Sequence, residues 1–206
     1  MLFRSVSPAL FSFVPWGVVD YAESIQEDET LAQKKYAFSP GRSNRDFAFL
    51  IESLHNSKYP LLIACDQLQR KQVGNVEIRD DIGGPDVHYY MKNAFCVVIS
   101  IDDPDISAGQ TVLLHAFNFG KPLIITQSKG LTDDYVIDRY NALIIEKTKD
   151  ALLQALDELY GDEDLYNRLS ENGIHDFYSQ YTKSALGRNV AYVVMQKEED
   201  NKQAEA

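Results

Sequence analysis

Cysteine is scarce in this chain: Cys65 and Cys96 are the two in 206 residues, and both lie inside apolar runs, LLIACD and AFCVVIS. A disulfide framework or a structural zinc site needs more thiols, or thiols and histidines at ligand spacing, so neither is expected. Two small apolar thiols buried in strands are the simpler reading. A reducing, cytoplasmic location follows as the expectation. Positive charge is also short, with 20 Lys and Arg against 31 Asp and Glu and a formal charge of -11. Non-specific nucleic-acid binding relies on Lys and Arg neutralising phosphates, so that class is set aside and any phosphate site must be local. Long apolar runs are missing too. No segment has the roughly 20 unbroken apolar residues of a transmembrane helix. The N-terminal MLFRSVSPALFSFVPWGVVDYA is interrupted by Pro8 and Ser12 and lacks a clean small-x-small site, which argues against a cleaved signal peptide.

What is present is a core-forming chain, with 45% hydrophobic and 11% aromatic side chains. From Lys35 onward, short β-branched runs alternate with helix-period segments, the pattern of a parallel sheet covered by helices. The strand candidates are Tyr36 to Ser39, Leu61 to Cys65, Asn75 to Arg79, Phe95 to Ser100, Leu123 to Thr126 and Ala142 to Glu146. Helices are expected over Arg45 to Leu54, Pro85 to Asn93, Gln110 to Phe119, Thr132 to Arg139 and Thr148 to Leu159. Two more follow, from about Glu163 to Tyr181 and from Lys183 to Lys197, before a charged, solvated tail. The fold class is therefore α/β, a doubly wound parallel sheet of about six strands with C-terminal helices.

In such sheets ligands bind at the carboxyl ends of the strands. Three polar, Gly-containing segments fall there: SPGRSNRD, SIDDPDISAGQ and TQSKGLTDD. In the second, Gly109 permits close backbone approach, and the first-turn N–H groups of Gln110 and Thr111 offer an anion site, with Ser107 and Thr111 adding hydroxyls. Taken alone, that run is also a helix start capped by Ser107 with nothing bound. In the first segment, Gly41 makes a turn from which Arg42 and Arg45 project. Arginine there suits bidentate phosphate recognition, unless Arg45 merely pairs with Asp46 or Asp80 on the surface. The Asp102 to Asp105 run could hold a divalent metal but is read as a solvated loop. His115 sits on an apolar helical face and reads as a core residue or a ligand contact; no nucleophile accompanies it for a hydrolytic triad.

Together these segments resemble the C-terminal, nucleotide-sugar-binding domain of GT-B glycosyltransferases, the group 1 or family 4 class. The resemblance runs from VPWGVVDYA, similar to an interdomain linker, through SPGRSNRDFAFLIES and VHYYMKNAFCVVIS to SAGQTVLLHAFNFGKPLIIT and LTDDYVIDRYNALIIE. It implies one Rossmann-like half of a GT-B fold: a linker over 1–34, the nucleotide-sugar domain over 35–182, and a C-terminal helix and disordered tail over 183–206. It implies hexosyl transfer in polysaccharide biosynthesis, with Arg42 and Arg45 stabilising the diphosphate leaving group. The donor would be held by Gly41, Ser107, Gly109, Gln110, Thr111 and His115, with no metal or cofactor besides the nucleotide diphosphate sugar, and backbone around Val87 to Tyr90 would border the base. The sequence departs from the family where Ser107 and His115 replace two glutamates spaced by seven residues. An acceptor-binding half, in the same or a partner chain, is a further implication; without it, Tyr181, Leu186, Tyr192 and Val193 would expose an apolar face. The family often associates with membranes peripherally, though no basic amphipathic helix supports that here. Two alternatives are a non-catalytic, glycosyltransferase-like interaction or regulatory domain, and half of a sugar-nucleotide epimerase.

Overall fold

The computed structural model describes residues 11–204, and side chains as far as Gln196. The first ten residues of the apolar N-terminal stretch, and most side chains of the charged tail, lie outside the described residues. Seven strands form one sheet: β1 (Ala37–Pro40), β2 (Leu61–Ala64), β3 (Lys71–Val73), β4 (Val76–Arg79), β5 (Cys96–Ile99), β6 (Leu123–Thr126) and β7 (Leu143–Ile145). Their order is β3-β4-β2-β1-β5-β6-β7. All neighbours pair in parallel except β3, which runs antiparallel to β4. The fold is thus Rossmann-like, as the periodicity indicates. β1, β2, β5 and β6 are buried along their whole length, which is why they read as continuous apolar runs.

The helices are α1 (Glu29–Ala32), α2 (Phe47–Leu54), α3 (Pro85–Lys92), α4 (Gln110–Asn118), α5 (Lys129–Tyr135), α6 (Lys149–Gly161), α7 (Glu163–Asp176) and α8 (Lys183–Ala204). Three helices depart most from the sequence reading. α5 begins at Lys129 rather than Thr132 and ends before Arg139. A π turn at Phe177–Tyr181 closes α7, and α8 continues past Lys197 to Ala204. Thr148 accepts from the Ala151 N–H at the start of α6, and Pro85 occupies the first turn of α3.

Two apolar layers sandwich the sheet. One gathers Phe38, Leu113, Phe117 and Phe177, and the other Leu50, Leu54, Leu152, Leu156 and Leu165. The linker is docked onto the first layer. Val18 N–H donates to Tyr181 O at 2.9 Å and Val18 O accepts from Lys183 N–H at 3.1 Å, while Gly17 lies so close to Thr182 that a Cβ would stand 2.5 Å from its carbonyl. Tyr181, expected at an exposed face, is 5% exposed, packed between Tyr135 and Phe117. Tyr192 is exposed as expected, together with Val190, Val194 and Met195 on α8, while Leu186 and Val193 are half-buried.

The strand order reverses between β1 and β5: from β1 the chain winds outward through β2 to β4, then crosses back to β5, β6 and β7. The turns after β1 and β5 therefore flank a switch point, where open α/β sheets leave a crevice.

Candidate functional site

The turn after β1 and the loop after β5 are joined by backbone. Asp46 N–H donates to Ser100 O at 3.0 Å, and Arg45 bridges Ile101. Asn44 fastens them with its side chain: Nδ2 donates to Asp103 O at 2.9 Å and Ile106 O at 3.0 Å, and Oδ1 accepts from Asp103 N–H at 2.8 Å. Asn44 adopts φ 54°, a left-handed conformation that Asn tolerates better than most residues. Sequence reasoning passed over Asn44; an Asn two residues past Gly-Arg in a turn was the available signal.

Arg45 lies across this junction. A Cβ on Gly41 would stand 3.1 Å from Arg45 Nε, and one on Gly109 would stand 2.8 Å from Arg45 Nη2. Both glycines have positive φ, 136° and 119°. Glycine is thus needed twice: for the backbone conformation and for the space the guanidinium fills. Arg45 donates to the carbonyls of Ser43 at 3.0 Å and Ala108 at 3.4 Å, while its Nε is buried without a partner. Burial pushes its pKa down to about 10, so it stays charged at neutral pH. The surface pairing weighed for Arg45 does not occur: Asp46 pairs with Lys147 at 3.2 Å and Asp80 with Arg70 at 3.0 Å. A half-buried cation with carbonyl partners alone costs free energy that a bound anion would recover.

Gly109, not Ser107, is the N-cap of α4, and no side chain caps this helix. Gln110, Thr111 and Val112 keep first-turn N–H groups with no intrahelical partner, since Leu113 N–H is the first to reach back, to Gly109 O at 3.0 Å. Ser107 turns away. Its hydroxyl donates to Gly130 O at 2.6 Å and accepts from the Gln110 side chain. Gly130 has no room for a Cβ because Ser107 Cβ would lie 2.6 Å from it. Thus the glycine inside α5 locks the α5 and α4 loops together, and the TQSKG segment joins the same edge.

Arg42 differs from Arg45. It is exposed and ion-paired with Asp66, at the end of β2. Gly41, Arg42 and Asp66 line a cavity of 350 Å³ closed by Asp80, Gly83 and Val87. Val87 is the part of Val87 to Tyr90 that faces it; Tyr89 hydrogen-bonds Asp28 at 2.6 Å and Tyr90 packs on Phe38. The Asp102 to Asp105 loop is held by its own contacts. Asp103 accepts from Asp105 N–H at 3.0 Å, and Asp105 pairs with Lys129 at 2.8 Å.

His115 lies one turn deeper in α4 and is 5% exposed. Its ring sits 4.4 Å from that of His88 and 5.5 Å from that of Tyr21, which the linker lays over it. Tyr21 is fixed there by its N–H, which donates to Asn118 Oδ1 at 2.9 Å. His115 Nδ1 is buried without a partner. Desolvation, with His88 adding to it, lowers its pKa to about 4, so the ring is neutral at pH 7.

Among the described residues, then, Gly41, Arg42, Arg45, Gly109, Gln110 and Thr111 meet at one sheet edge, while Ser107 is engaged with α5 and His115 is recessed beneath Tyr21. No described helix is long and apolar enough to cross a membrane.

Residues 33–176 match the family model of glycosyl transferases group 1. Sucrose-phosphate synthase from Thermosynechococcus elongatus superposes with a TM-score of 0.70 at 14% identity, over 92% of this chain and 53% of that one. HepE from Anabaena, in complex with UDP-glucose, gives 0.65 at 16% identity over 82% and 50%. The C-terminal domain of LpcC, a glycosyl transferase group 1 family protein from Francisella tularensis, gives 0.61 at 15% identity, over 81% of this chain and 100% of that one. The chain spans about half the length of the first two. No curated protein matches it. Fold, strand order and a family match over most of its length make this chain a member of the glycosyl transferases group 1 family, with the fold of a GT-B glycosyltransferase domain.

Proposed function

We propose that the chain is the donor-binding half of a hexosyltransferase that uses a nucleotide diphosphate sugar. The observation that carries this reading is Arg45, a half-buried guanidinium without a carboxylate partner and with its Nε shielded from solvent, held between Gly41 and Gly109 beside the open N-terminus of α4. When the bond from the sugar's anomeric carbon to the diphosphate breaks, the electron pair stays on the departing oxygen. Arg45 and the first-turn N–H groups of α4 stabilise that charge with groups already in place. Arg42 adds a second cation by exchanging Asp66 for phosphate oxygens, and Val87 borders the base. The likeness to HepE, solved with UDP-glucose, supports a uridine diphosphate sugar as the first donor to test. An acceptor-binding half, in the same or a partner chain, completes the site and supplies the growing saccharide.

A second reading, a non-catalytic family member, is favoured by one specific arrangement: Ser107 is bonded into α5 and His115 is covered by Tyr21, so neither stands free where the family's two glutamates do. Isothermal titration with UDP, GDP and ADP separates the two. The donor-binding reading expects saturable binding of at least one diphosphate; absence of binding by all three at millimolar concentration leaves the non-catalytic reading.

A further inference from the structure

A second cavity, of 310 Å³, is lined by the linker and by residues that follow β5 and β6, whereas the cavity that Arg42 lines is built by residues that follow β1, β2 and β4, so in the strand order the Arg45–Gly109 junction falls between them. Its walls are Val14, Trp16, Gln110, Thr111 and Tyr135. Its size falls at the small end of ligand sites, about 300 to 1,000 Å³. Trp16 is the single tryptophan of the chain and is 53% exposed. A large aromatic so exposed on a loose segment would mean little, but this backbone is fixed on both sides. Trp16 N–H donates to Tyr135 Oη at 3.0 Å, and Gly17 and Val18 are pinned against Thr182. Phe13 packs edge-on against the same Tyr135, with ring centroids 6.2 Å apart. The indole is therefore carried on a fixed backbone at a cavity whose other wall carries the Thr111 hydroxyl and the side chain of Gln110, whose amide nitrogen also donates to Ser107.

Two cavities flanking a cationic junction match the three parts of a nucleotide sugar: nucleoside, diphosphate and hexose. With the nucleoside side assigned to Val87 and Gly83, the remaining cavity receives the sugar. We infer that Trp16 is the platform on which the transferred hexose lies, its apolar C–H face on the indole and its hydroxyls toward Thr111 and Gln110. An amphipathic ring with one apolar face suits such a contact, as aromatic side chains suit surfaces that are part apolar and part wet. This inference rests on the donor-binding reading, and it makes the linker, rather than α4 alone, the element that distinguishes the sugar.

The single tryptophan makes the test direct. The whole chain is titrated with UDP and UDP-glucose, and with GDP-mannose and ADP-glucose beside their diphosphates, following both heat and Trp16 emission. For the base that binds, the hexose conjugate is expected to bind roughly three- to tenfold tighter than the diphosphate, the range of one aromatic contact, and to shift the emission where the diphosphate alone does not. Trp16→Ala should abolish that increment while leaving diphosphate affinity unchanged, and Trp16→Phe should restore part of it. An increment that survives in Trp16→Ala overturns the inference, as does sugar binding that leaves the emission unmoved. In both cases the donor-binding reading still stands, because the diphosphate binds. If no diphosphate binds, the donor-binding reading falls and the inference with it. Loss of diphosphate affinity in Trp16→Ala would assign the indole to holding the linker in place, against the inference.

Discussion

Arg45 and Gly109 occupy one another's space: the guanidinium lies where a side chain at position 109 would be, 2.8 Å from the nearest nitrogen. The contact ties the turn after β1 to the cap of α4, so the cation and the helix N-terminus cannot be disturbed separately.

Gly109→Ala is therefore expected to damage both stability and ligand binding. The substitution forces a non-glycine residue to φ 119° and drives a methyl group into Arg45. The strain alone is about 1–3 kcal/mol. Gly187→Ala, in open space within α8, is the control and should stabilise by about 0.5–1 kcal/mol, because alanine loses less backbone freedom in a helix. Urea unfolding of the two variants checks the contrast.

The two arginines are unequal. Arg45→Ala removes a half-buried charge-assisted contact, for which about 1.5–3 kcal/mol, roughly ten- to a hundredfold in diphosphate affinity, is expected. Arg45→Lys should rescue little, since an ammonium cannot reproduce the guanidinium fork between the two glycines. Asp66→Asn, which frees exposed Arg42, should raise diphosphate affinity by no more than about fivefold, the scale of a surface ion pair. Calorimetric titration of each variant with the same diphosphate measures all three.

Asn44→Ala should separate the two loops. It deletes three hydrogen bonds to the β5–α4 loop and leaves alanine at φ 54°. The expected result is a fall in diphosphate affinity with the core intact, seen as a near-native far-UV spectrum alongside loosened amide exchange between Asp102 and Gly109.

His115 makes stability pH-dependent. Its native pKa is about 4, against an ordinary value of 6.5 in the unfolded chain. Between those values the unfolded state binds more protons than the native one, so stability falls as pH drops from about 6.5 toward 4. The full effect is about 3 kcal/mol, from 1.36 kcal/mol per pH unit over that interval. His88, whose pKa burial also lowers, acts in the same direction. His115→Phe keeps an aromatic ring among Tyr21, His88 and Phe119, removes the unpartnered Nδ1, and should flatten most of that slope. Urea midpoints measured from pH 7 to pH 4.5 report it.

How much of this could be read beforehand depended on the kind of signal. β1, β2, β5 and β6 were legible because burial on both faces makes them apolar throughout. β3 was not. Lys71, Gln72 and Val73 belong to the sheet only through hydrogen bonds to β4 across a turn at Gly74, and an edge strand of that length carries no apolar pattern. The start of α5 was missed because Ser128, Lys129 and Gly130 read as a loop, and the reason for Gly130, contact with Ser107, is long-range. Arg42 and Arg45 were legible as a pair beside Gly41. Their inequality was not, because it depends on Asp66 at the end of another strand and on Gly109 across the switch point. The chemistry of Ser107 fits either a ligand hydroxyl or a helix cap, whereas a hydrogen bond to Gly130 turns it toward α5.

The central claim, that a diphosphate sits between Arg45 and the first turn of α4, is tested most directly by amide and guanidinium nitrogen–proton resonances. These are recorded as UDP, GDP or ADP is added to the full chain. The largest shifts are expected on Gly109, Gln110, Thr111, Val112 and the Arg45 Nε–H, and those of the amides are expected to disappear in Arg45→Ala. Shifts confined to other surfaces, or no shifts at these groups while the nucleotide binds, would contradict it.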